Sequence, residues 1–282
     1  MDKIIKSPIF YMGNKNRLIK KGLIEKFPKN IDTFVDLFCG SGVVSMNTKA
    51  NKHILNDIDI NMINLISLFQ KNDKKQLINE IDQLIRYYKL PNFSTDNRKY
   101  KGDRTIFKER YNKLRDDYNK SRDIKLLYIL NLYCNSHMIR FNKNNEFNMP
   151  FGNSYFTEDK KNDILLHNYN NMTLSNKNYK DVNIDTNCFV YCDPPYLGTN
   201  ATYNESNRWV ENNNKELFLY LDKLTNSNIK WALSNVFSNK SVVNKELIKW
   251  SKKYNIYHFE DFSYYSCGKG TGKTDEVLIM NY

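Results

Sequence analysis

The residues best suited to catalysis in this sequence are Asp193, Pro194, Pro195 and Tyr196, which follow the apolar run CFVYC at 188–192. The run predicts a strand, and open α/β sheets bind their ligands where such strands end. Two consecutive prolines fix two φ angles and remove two amide donors, so nearby carbonyl oxygens face outward from a rigid edge. The tetrapeptide therefore indicates a site for a flat, polar group; a plain loop turn with a helix-capping acid is the alternative.

An exocyclic amino group of a nucleobase is the kind of substrate that needs these residues. Its nitrogen lone pair is delocalised into the ring, so an enzyme must accept its hydrogens before the nitrogen can attack an electrophile. We expect the Asp193 carboxylate and the Pro194 carbonyl to accept these hydrogens, and Tyr196 to stack on the base. A base inside a duplex must first be flipped out, which costs roughly a few kcal/mol and is offset by contacts in the pocket.

A second chemical signal is the run DLFCGSG, from Asp36 to Gly42, at the end of another predicted strand. Gly40 and Gly42 allow the backbone to approach a ligand, and the N-terminus of the following helix favours a carboxylate. Asp57, at the end of the next predicted strand, is placed to accept hydrogen bonds from a ribose diol. Glycine loops of this kind occur in several classes of nucleotide site, and Asp57 could equally cap the helix that begins at Ile60.

The third signal is the segment YMGNK, from Tyr11 to Lys15, which precedes the first predicted strand. Gly13 permits a close backbone approach, and the Lys15 ammonium could meet a carboxylate. An exposed N-terminal loop with a solvated lysine is the alternative interpretation.

Charge and composition indicate the kind of partner and limit the structural class of the protein. Lys and Arg total 43 against 31 Asp and Glu, and the net charge of +12 favours a polyanionic partner because each neutralised phosphate releases counterions. A hydrophobic share of 40% and an aromatic share of 14% supply a packed interior. This composition argues against a largely disordered chain, and a length of 282 residues excludes a small disulfide scaffold.

The cysteines and histidines indicate neither a disulfide framework nor a metal site. The five cysteines are scattered and form no CxxC pair, and the four histidines make no metal spacing with them. No stretch approaches the roughly 18 uncharged residues of a membrane span, and the N-terminus lacks a signal-like apolar run. We expect a soluble protein of the cytoplasm, or of the host cytoplasm if the source is viral, with no metal and no membrane partner.

These residues must be positioned by secondary structure, and the first part of the chain is predicted to alternate between strands and helices. Helical spacing follows each of the first two predicted strands, from 43 and over 60–69. The predicted strands are 33–38, 53–56, 188–192, 229–234, 256–260 and 276–280.

The middle of the chain breaks this alternation. Helical periodicity covers 74–135. The segment 139–152 predicts a hairpin or an ordered loop, and Asn144 and Asn145 would form the tip of the hairpin. Strands therefore bracket a helical insertion. We predict one α/β domain over residues 1–70 and 171–282, and an inserted helical domain with the hairpin over 71–170.

The segment Gly268 to Thr274 resembles a phosphate-binding P-loop only superficially. The motif requires a glycine five positions before Gly272, and Cys267 stands there. We interpret the segment as a flexible basic loop that could touch DNA phosphates, and not as an ATPase site.

The order of the motifs resembles a known family. YMGNK, DLFCGSG, Asn56-Asp57 and DPPY, with a long insertion before DPPY, resemble the Dam family (D12 class, alpha group) of DNA adenine-N6 methyltransferases, and most of all the T-even phage Dam enzymes. The resemblance covers about residues 9–281. It extends through 136–142, 150–152, 250–255 and 274–277.

This resemblance implies a class I S-adenosylmethionine-dependent methyltransferase sheet, which is Rossmann-like, with an inserted DNA-recognition subdomain. The residues implied to bind S-adenosylmethionine are Tyr11, Lys15, Asp36, Phe38, Gly40, Gly42, Asp57 and Asp193. Those implied to read a GATC site in double-stranded DNA are Ser136, Met138, Arg140, Asn142 and Pro150. The Arg140 fork also suits bidentate contact to guanine, which is worth roughly 1 to 3 kcal/mol. A monomer or a weak dimer on DNA is expected.

One position departs from the family. Asn135 stands where the relatives carry an aromatic residue that wedges into the duplex. Hydrogen bonding by Asn135 could fill the vacated space, or Tyr133 or Phe141 could act in its place.

The predicted reaction is direct displacement, in which the adenine amino nitrogen attacks the sulfonium methyl group. Because the leaving group is already activated, orientation and electrostatics carry the catalysis. The alternatives are another amino acceptor, such as cytosine N4 or RNA adenine, and a DNA-binding repressor without catalysis.

Overall fold

A computed structural model describes residues 4–91, 105–152, 154–196, 209–239, 242–262 and 274–282. The glycine-rich segment 268–273 and Cys267, considered above as a P-loop, lie outside the described residues. The strands are β1 (Thr33–Asp36), β2 (Lys52–Asn56), β3 (Met172–Ser175), β4 (Cys188–Cys192), β5 (Lys230–Asn239), β6 (Val242–Val243), β7 (Asn255–Phe262) and β8 (Thr274–Met280).

Helices flank these strands and fill the middle of the chain. They are α1 (Asn16–Lys20), α2 (Val43–Asn47), α3 (Ile60–Lys71), α4 (Lys74–Tyr87), α5 (Thr105–Ser121), α6 (Ile124–Tyr133), α7 (Glu158–Leu166), α8 (Glu211–Asn226) and α9 (Lys245–Ser251). Within the described ranges, each helix is too short or too polar to span a bilayer.

Seven strands form the main path of one sheet, in the order β3-β2-β1-β4-β5-β8-β7, and β6 pairs with the end of β5. The strands β3, β2, β1, β4 and β5 run parallel. β8 runs antiparallel to both of its neighbours, β5 and β7. This is the sheet of a class I methyltransferase, so the predicted α/β fold is confirmed.

The topology fixes where a ligand can bind. The chain winds outward in opposite directions from β1 and from β4, so the crevice of the sheet lies between these two strands. Asp36 ends β1 and pairs in register with Tyr191 of β4, and Asp193 follows β4 directly. The two carboxylates that the sequence singled out therefore lie at the same edge of the sheet.

The helices α4 to α7 all come between α3 and β3, as the predicted helical insertion requires. In α4, the Asp73 side chain caps the first turn, and Leu77, Ile81 and Ile85 are buried on one face. These three side chains belong to the same core cluster as Phe34 of β1. The insertion and the sheet thus share one continuous core, and the domain boundaries at 70 and 171 stay predictions.

Several elements differ from the expectation. β3 has no counterpart among the predicted strands, because its sequence MTLS is short and half polar and it pairs only with β2. β1 ends at Asp36 instead of 38, where the chain turns and the Cys39 amide bonds to the Asn56 carbonyl. β5 continues to Asn239 because its far end pairs with β8.

Candidate active site

An open pocket brings together the three segments that the sequence singled out. It contains about 320 Å³ of space, part of which is open solvent, at the edge of the sheet where β1 and β4 end. Five of the predicted cofactor residues line it: Tyr11, Lys15, Asp36, Phe38 and Asp193. Side chains more than 150 positions apart in the sequence therefore face one space.

An ion pair between Lys15 and Asp193 crosses this pocket. The Lys15 Nζ lies 2.6 Å from Asp193 Oδ2 and donates to the Gly13 carbonyl at 3.0 Å. The Lys15 side chain is 7% exposed, so the alternative of a solvated lysine is wrong. Burial raises the pKa of Asp193, and the Lys15 ammonium opposes that rise.

The DPPY segment folds back so that its last residue, Tyr196, contacts its first residue, Asp193. The Tyr196 hydroxyl lies 3.1 Å from Asp193 Oδ1 and 3.2 Å from Glu276 Oε1. Pro194 is buried and Pro195 is exposed. The segment is therefore more than a plain turn, because it holds an aromatic ring beside a carboxylate whose two oxygens both have partners.

Asp36 is a buried carboxyl with one uncommitted oxygen. The Ser45 hydroxyl of α2 donates to Asp36 Oδ2 at 2.8 Å. Asp36 Oδ1 has no hydrogen-bond partner among the described residues, although the side chain is 1% exposed. Burial raises the pKa of Asp36 to about 8, and the neighbouring carboxylates of Asp193 and Asp57 add to the rise. This oxygen is ready to accept a hydrogen bond from a ligand.

Asp57 is tied to the glycine turn after β1. Its carboxylate accepts from the Gly40 amide at 2.8 Å and from the Asp59 amide at 2.9 Å. Burial raises the pKa of Asp57 to about 6. The N-cap of α3 is Asp59, whose side chain accepts from the Asn61 amide, so the alternative of Asp57 as the cap is wrong.

The turn itself requires glycine at Gly40. Its φ is +48°, and a Cβ there would lie 2.5 Å from the Tyr11 ring. Gly42, with φ +66°, precedes α2 and lies against Tyr169. Phe38 packs beside Tyr179 at a ring distance of 5.3 Å. The predicted cofactor residues 36–42 thus form one tightly packed turn.

The predicted recognition residues lie on a hairpin and are not among the residues that line this pocket. Two β-bridges, Cys134 to Phe151 and Phe141 to Phe147, pair its arms. The Asn145 amide bonds to the Asn142 carbonyl, which places the tip of the hairpin where it was predicted.

The predicted recognition residues differ in their exposure to solvent. Ser136 and Pro150 are exposed, whereas Met138, Arg140 and Asn142 are partly buried. The Arg140 Nε donates to Asn148 Oδ1 at 2.8 Å, which joins the two arms. Asn142 Oδ1 accepts from the amides of residues 144 and 146. Asn142 therefore shapes the tip of the hairpin through its side chain.

The suggested replacements for the wedging aromatic residue are wrong for this conformation. Tyr133 is fully buried and its hydroxyl donates to the Pro91 carbonyl at 2.8 Å, while Phe141 packs against Phe147 in the core. Asn135 is exposed. Of the three, Asn135 is the one that faces solvent.

A buried amide connects the hairpin with Phe10, the residue that precedes the YMGNK segment. The Asn131 side chain pairs with both the amide and the carbonyl of Phe10, each at 3.1 Å, and donates to the His137 carbonyl at 2.8 Å. The His137 ring stacks on Phe10 with centroids 3.8 Å apart. Ser136 and His137 are held at φ +58° and +53°. Two consecutive non-glycine residues in this region indicate strain fixed by their surroundings.

Two partners of the site were not predicted as site residues. Ser45 holds Asp36, and Glu276 contacts Tyr196 from β8. Glu276 is an acid inside the apolar run EVLIM, which is the signal that could have found it. Across the described ranges, the structure contains no cluster of three or more His, Cys, Asp or Glu side chains that could hold a metal.

Comparison with known proteins gives the family. The sequence profile described as D12 class N6 adenine-specific DNA methyltransferase matches residues 11–263. The chain belongs to this family. The predicted family is thus confirmed, and the special likeness to the T-even phage enzymes stays a prediction.

Similar proteins include modification methylases and DNA adenine methylases. The chain is 36% identical to the type II methyltransferase M.FokI of Planomicrobium okeanokoites and 32% identical to the modification methylase StsI of Streptococcus sanguinis, over 99% of its own length in both cases. It spans 43% of the length of each. It is 26% identical to the DNA adenine methylase of Escherichia coli K12, over 94% of this chain and 95% of that protein.

Proposed function

We propose that this protein transfers a methyl group from S-adenosylmethionine to the N6 amino group of adenine in double-stranded DNA. The observation that carries the proposal is the junction of DPPY with the first motif, where Lys15 and Tyr196 hold the two oxygens of Asp193 at the crevice of the sheet. Membership of the D12 class supports the same activity.

The hydrogen-bond acceptors in and beside the pocket match the polar groups of S-adenosylmethionine, the methyl donor. The uncommitted oxygen of Asp36 suits the donor's ammonium group, and Asp57 suits its ribose hydroxyls, since each carboxylate oxygen can accept a second hydrogen bond. The Gly40 turn brings backbone close to this space. When bound, the donor supplies an electrophilic methyl group on a positively charged sulfur.

The DPPY residues act on the methyl acceptor, which is the adenine amino group. Asp193 and the Pro194 carbonyl accept the hydrogens of the adenine amino group, which localises the nitrogen lone pair. The Tyr196 ring stacks on the flipped base. Lys15 favours the charged form of Asp193, since its ammonium opposes the effect of burial on the pKa of that carboxyl. Asp193 can then hold the proton that the nitrogen loses.

DNA binding is assigned to the insertion over 71–170. Ser136, Met138, Arg140, Asn142 and Pro150 are proposed to read a GATC site, and Asn135 to face the space left by base flipping. The resemblance to the Dam family supports this specificity. A net charge of +12 supports a DNA partner. We further propose that the protein acts as a monomer or a weak dimer in the cytoplasm.

The activity can be tested with labelled methyl donor and duplex DNA. Mass spectrometry of the digested DNA should show N6-methyladenine. Methylcytosine in the DNA, or methyladenine confined to an RNA substrate, would favour another amino acceptor. No transfer to any of these substrates, with DNA binding intact, would favour the repressor. Asp193→Ala should abolish transfer and retain measurable DNA binding.

The recognition sequence needs a separate measurement. Methylated plasmid should resist nucleases that are blocked by adenine methylation at GATC. Sequencing that locates methyladenine base by base provides the check. Methylation confined to another site would refute GATC and leave the enzyme class standing.

A further inference from the structure

Glu276 is a buried acid that the proposed chemistry does not use. It belongs to β8 and has no exposed surface, and the residues that follow it, Val277, Leu278 and Ile279, are equally buried. A carboxyl group in such surroundings costs several kcal/mol unless hydrogen bonds compensate it. A glutamate at this position therefore calls for a functional explanation.

The direction of β8 carries Glu276 to the ligand-binding edge. Because β8 is antiparallel to β5, it enters the sheet at the edge where the parallel strands end. Glu276 pairs in register with Val236, near the end of β5 and next to a register shift. The neighbouring Asp275 is partly exposed and bonds to His258 at 2.8 Å. Adjacent acids on one strand thus lie in different surroundings.

The contacts of Glu276 lead directly to the proposed catalytic carboxylate. Its Oε1 lies 3.2 Å from the Tyr196 hydroxyl, which lies 3.1 Å from Asp193 Oδ1, and Lys15 holds Asp193 Oδ2 at 2.6 Å. A phenol carries one hydrogen, so the Tyr196 hydroxyl shares it between two acceptors. The position of that hydroxyl depends on both carboxyl groups.

We propose that Glu276 is a positioning residue for methyl transfer, which acts through the Tyr196 hydroxyl to fix the tyrosine ring and the Asp193 carboxylate. The inference rests on the proposed function, because it assigns a role within the same site. Two acceptors on one hydroxyl restrain its direction more than one does, and ring and carboxylate must be aligned before the nitrogen attacks. The effect therefore falls on the rate of transfer more than on binding.

The test compares Glu276→Leu, Glu276→Gln, Tyr196→Phe and the double variant Tyr196→Phe/Glu276→Leu. Kinetics with duplex DNA give kcat and KM, and titrations give the Kd of DNA and of S-adenosylhomocysteine. Asp275→Leu is the matched control, since it changes the neighbouring acid without touching Tyr196. Thermal unfolding confirms that each variant is folded.

We expect kcat to fall roughly 10- to 100-fold in Glu276→Leu, from the loss of a buried hydrogen bond, while KM and both Kd values change less than about twofold. Glu276→Gln keeps an acceptor oxygen and should recover most of the rate. The double variant should be no slower than the slower single variant, because both changes break the same contact. Asp275→Leu should behave as wild type.

Three results would overturn the inference: losses that multiply in the double variant, a loss confined to KM or Kd, or a Gln variant as slow as the Leu variant. If Glu276→Leu does not fold, Glu276→Met takes its place in the cycle and in the comparison with Glu276→Gln, because methionine also lacks an acceptor oxygen. Wild-type protein that methylates no DNA would instead refute the proposed function, so the two failures are distinguishable.

Discussion

Replacing Asp36 with Asn should flatten the pH dependence of stability in this protein. The side chain is 1% exposed, and burial raises its pKa from 3.8 to about 8. Between pH 3.8 and about pH 8, Asp36 is protonated in the folded state and deprotonated in the unfolded chain. The stability contributed by this group is therefore fully present below about pH 4 and is lost as the pH rises toward 8.

The magnitude follows from proton linkage. One proton of difference changes the free energy of unfolding by about 1.4 kcal/mol per pH unit. From about pH 5.5 to about pH 7.5, the wild-type protein should lose about 2 to 2.5 kcal/mol that the Asn variant keeps. Asn retains an oxygen that can accept from the Ser45 hydroxyl, so the packing around the site is preserved.

Urea unfolding at several pH values measures this difference, since the midpoint and the slope together give the free energy of unfolding. Asp32→Asn is the control, because Asp32 is exposed next to the start of the same strand and has a lowered pKa. Its curve should not show the flattening. Parallel curves for Asp36→Asn and the wild type would show that Asp36 titrates alike in both states, which would refute the reasoning.

Three further predictions follow from the pocket and the hairpin. Lys15→Met should move the acid limb of the pH profile of kcat to higher pH, because Lys15 lowers the pKa of Asp193. An acid limb at the wild-type pH would contradict this prediction. Gly40→Ala should weaken S-adenosylhomocysteine binding more than tenfold by calorimetry, because its Cβ would lie 2.5 Å from the ring of Tyr11, which lines the pocket. Gly22→Ala is the control and should bind normally, because Gly22 is also at positive φ but its Cβ would meet Glu25, which does not line the pocket. Arg140→Ala should reduce the preference for the cognate site by about 5- to 150-fold in competition binding, whereas Lys143→Ala at the exposed tip should weaken all sequences alike.

The sequence was sufficient for the parts of the site that are encoded locally. The run CFVYC followed by DPPY predicts both β4 and the acid beyond its end, and the glycines near Asp36 predict the turn after β1. Both patterns have a physical reason within a few residues. For the same reason the hairpin tip at Asn144 and Asn145 was predictable.

The remainder depends on long-range contacts. Glu276 reaches Tyr196 across 80 positions, and Asn131 pairs with Phe10 across 121. The run EVLIM marks Glu276 as unusual, but no local pattern identifies the partner in either contact. β3 is a strand because β2 offers it an edge, and MTLS alone does not require one. The burial of Tyr133 is likewise not visible locally, since its hydroxyl bonds to the carbonyl of Pro91, 42 positions away.

The core shared by the insertion and the sheet has a consequence for engineering. Tyr128 of α6 packs edge-on against Phe69 of α3 at 4.9 Å, and both belong to the cluster that contains Phe34 of β1. Cutting out the helices would expose that apolar surface to water, so grafting a relative's helices wholesale would demand a matched set of buried side chains. On the proposed function, changes of sequence preference are better sought by exchanging single exposed residues of the hairpin, such as Ser136 and Pro150.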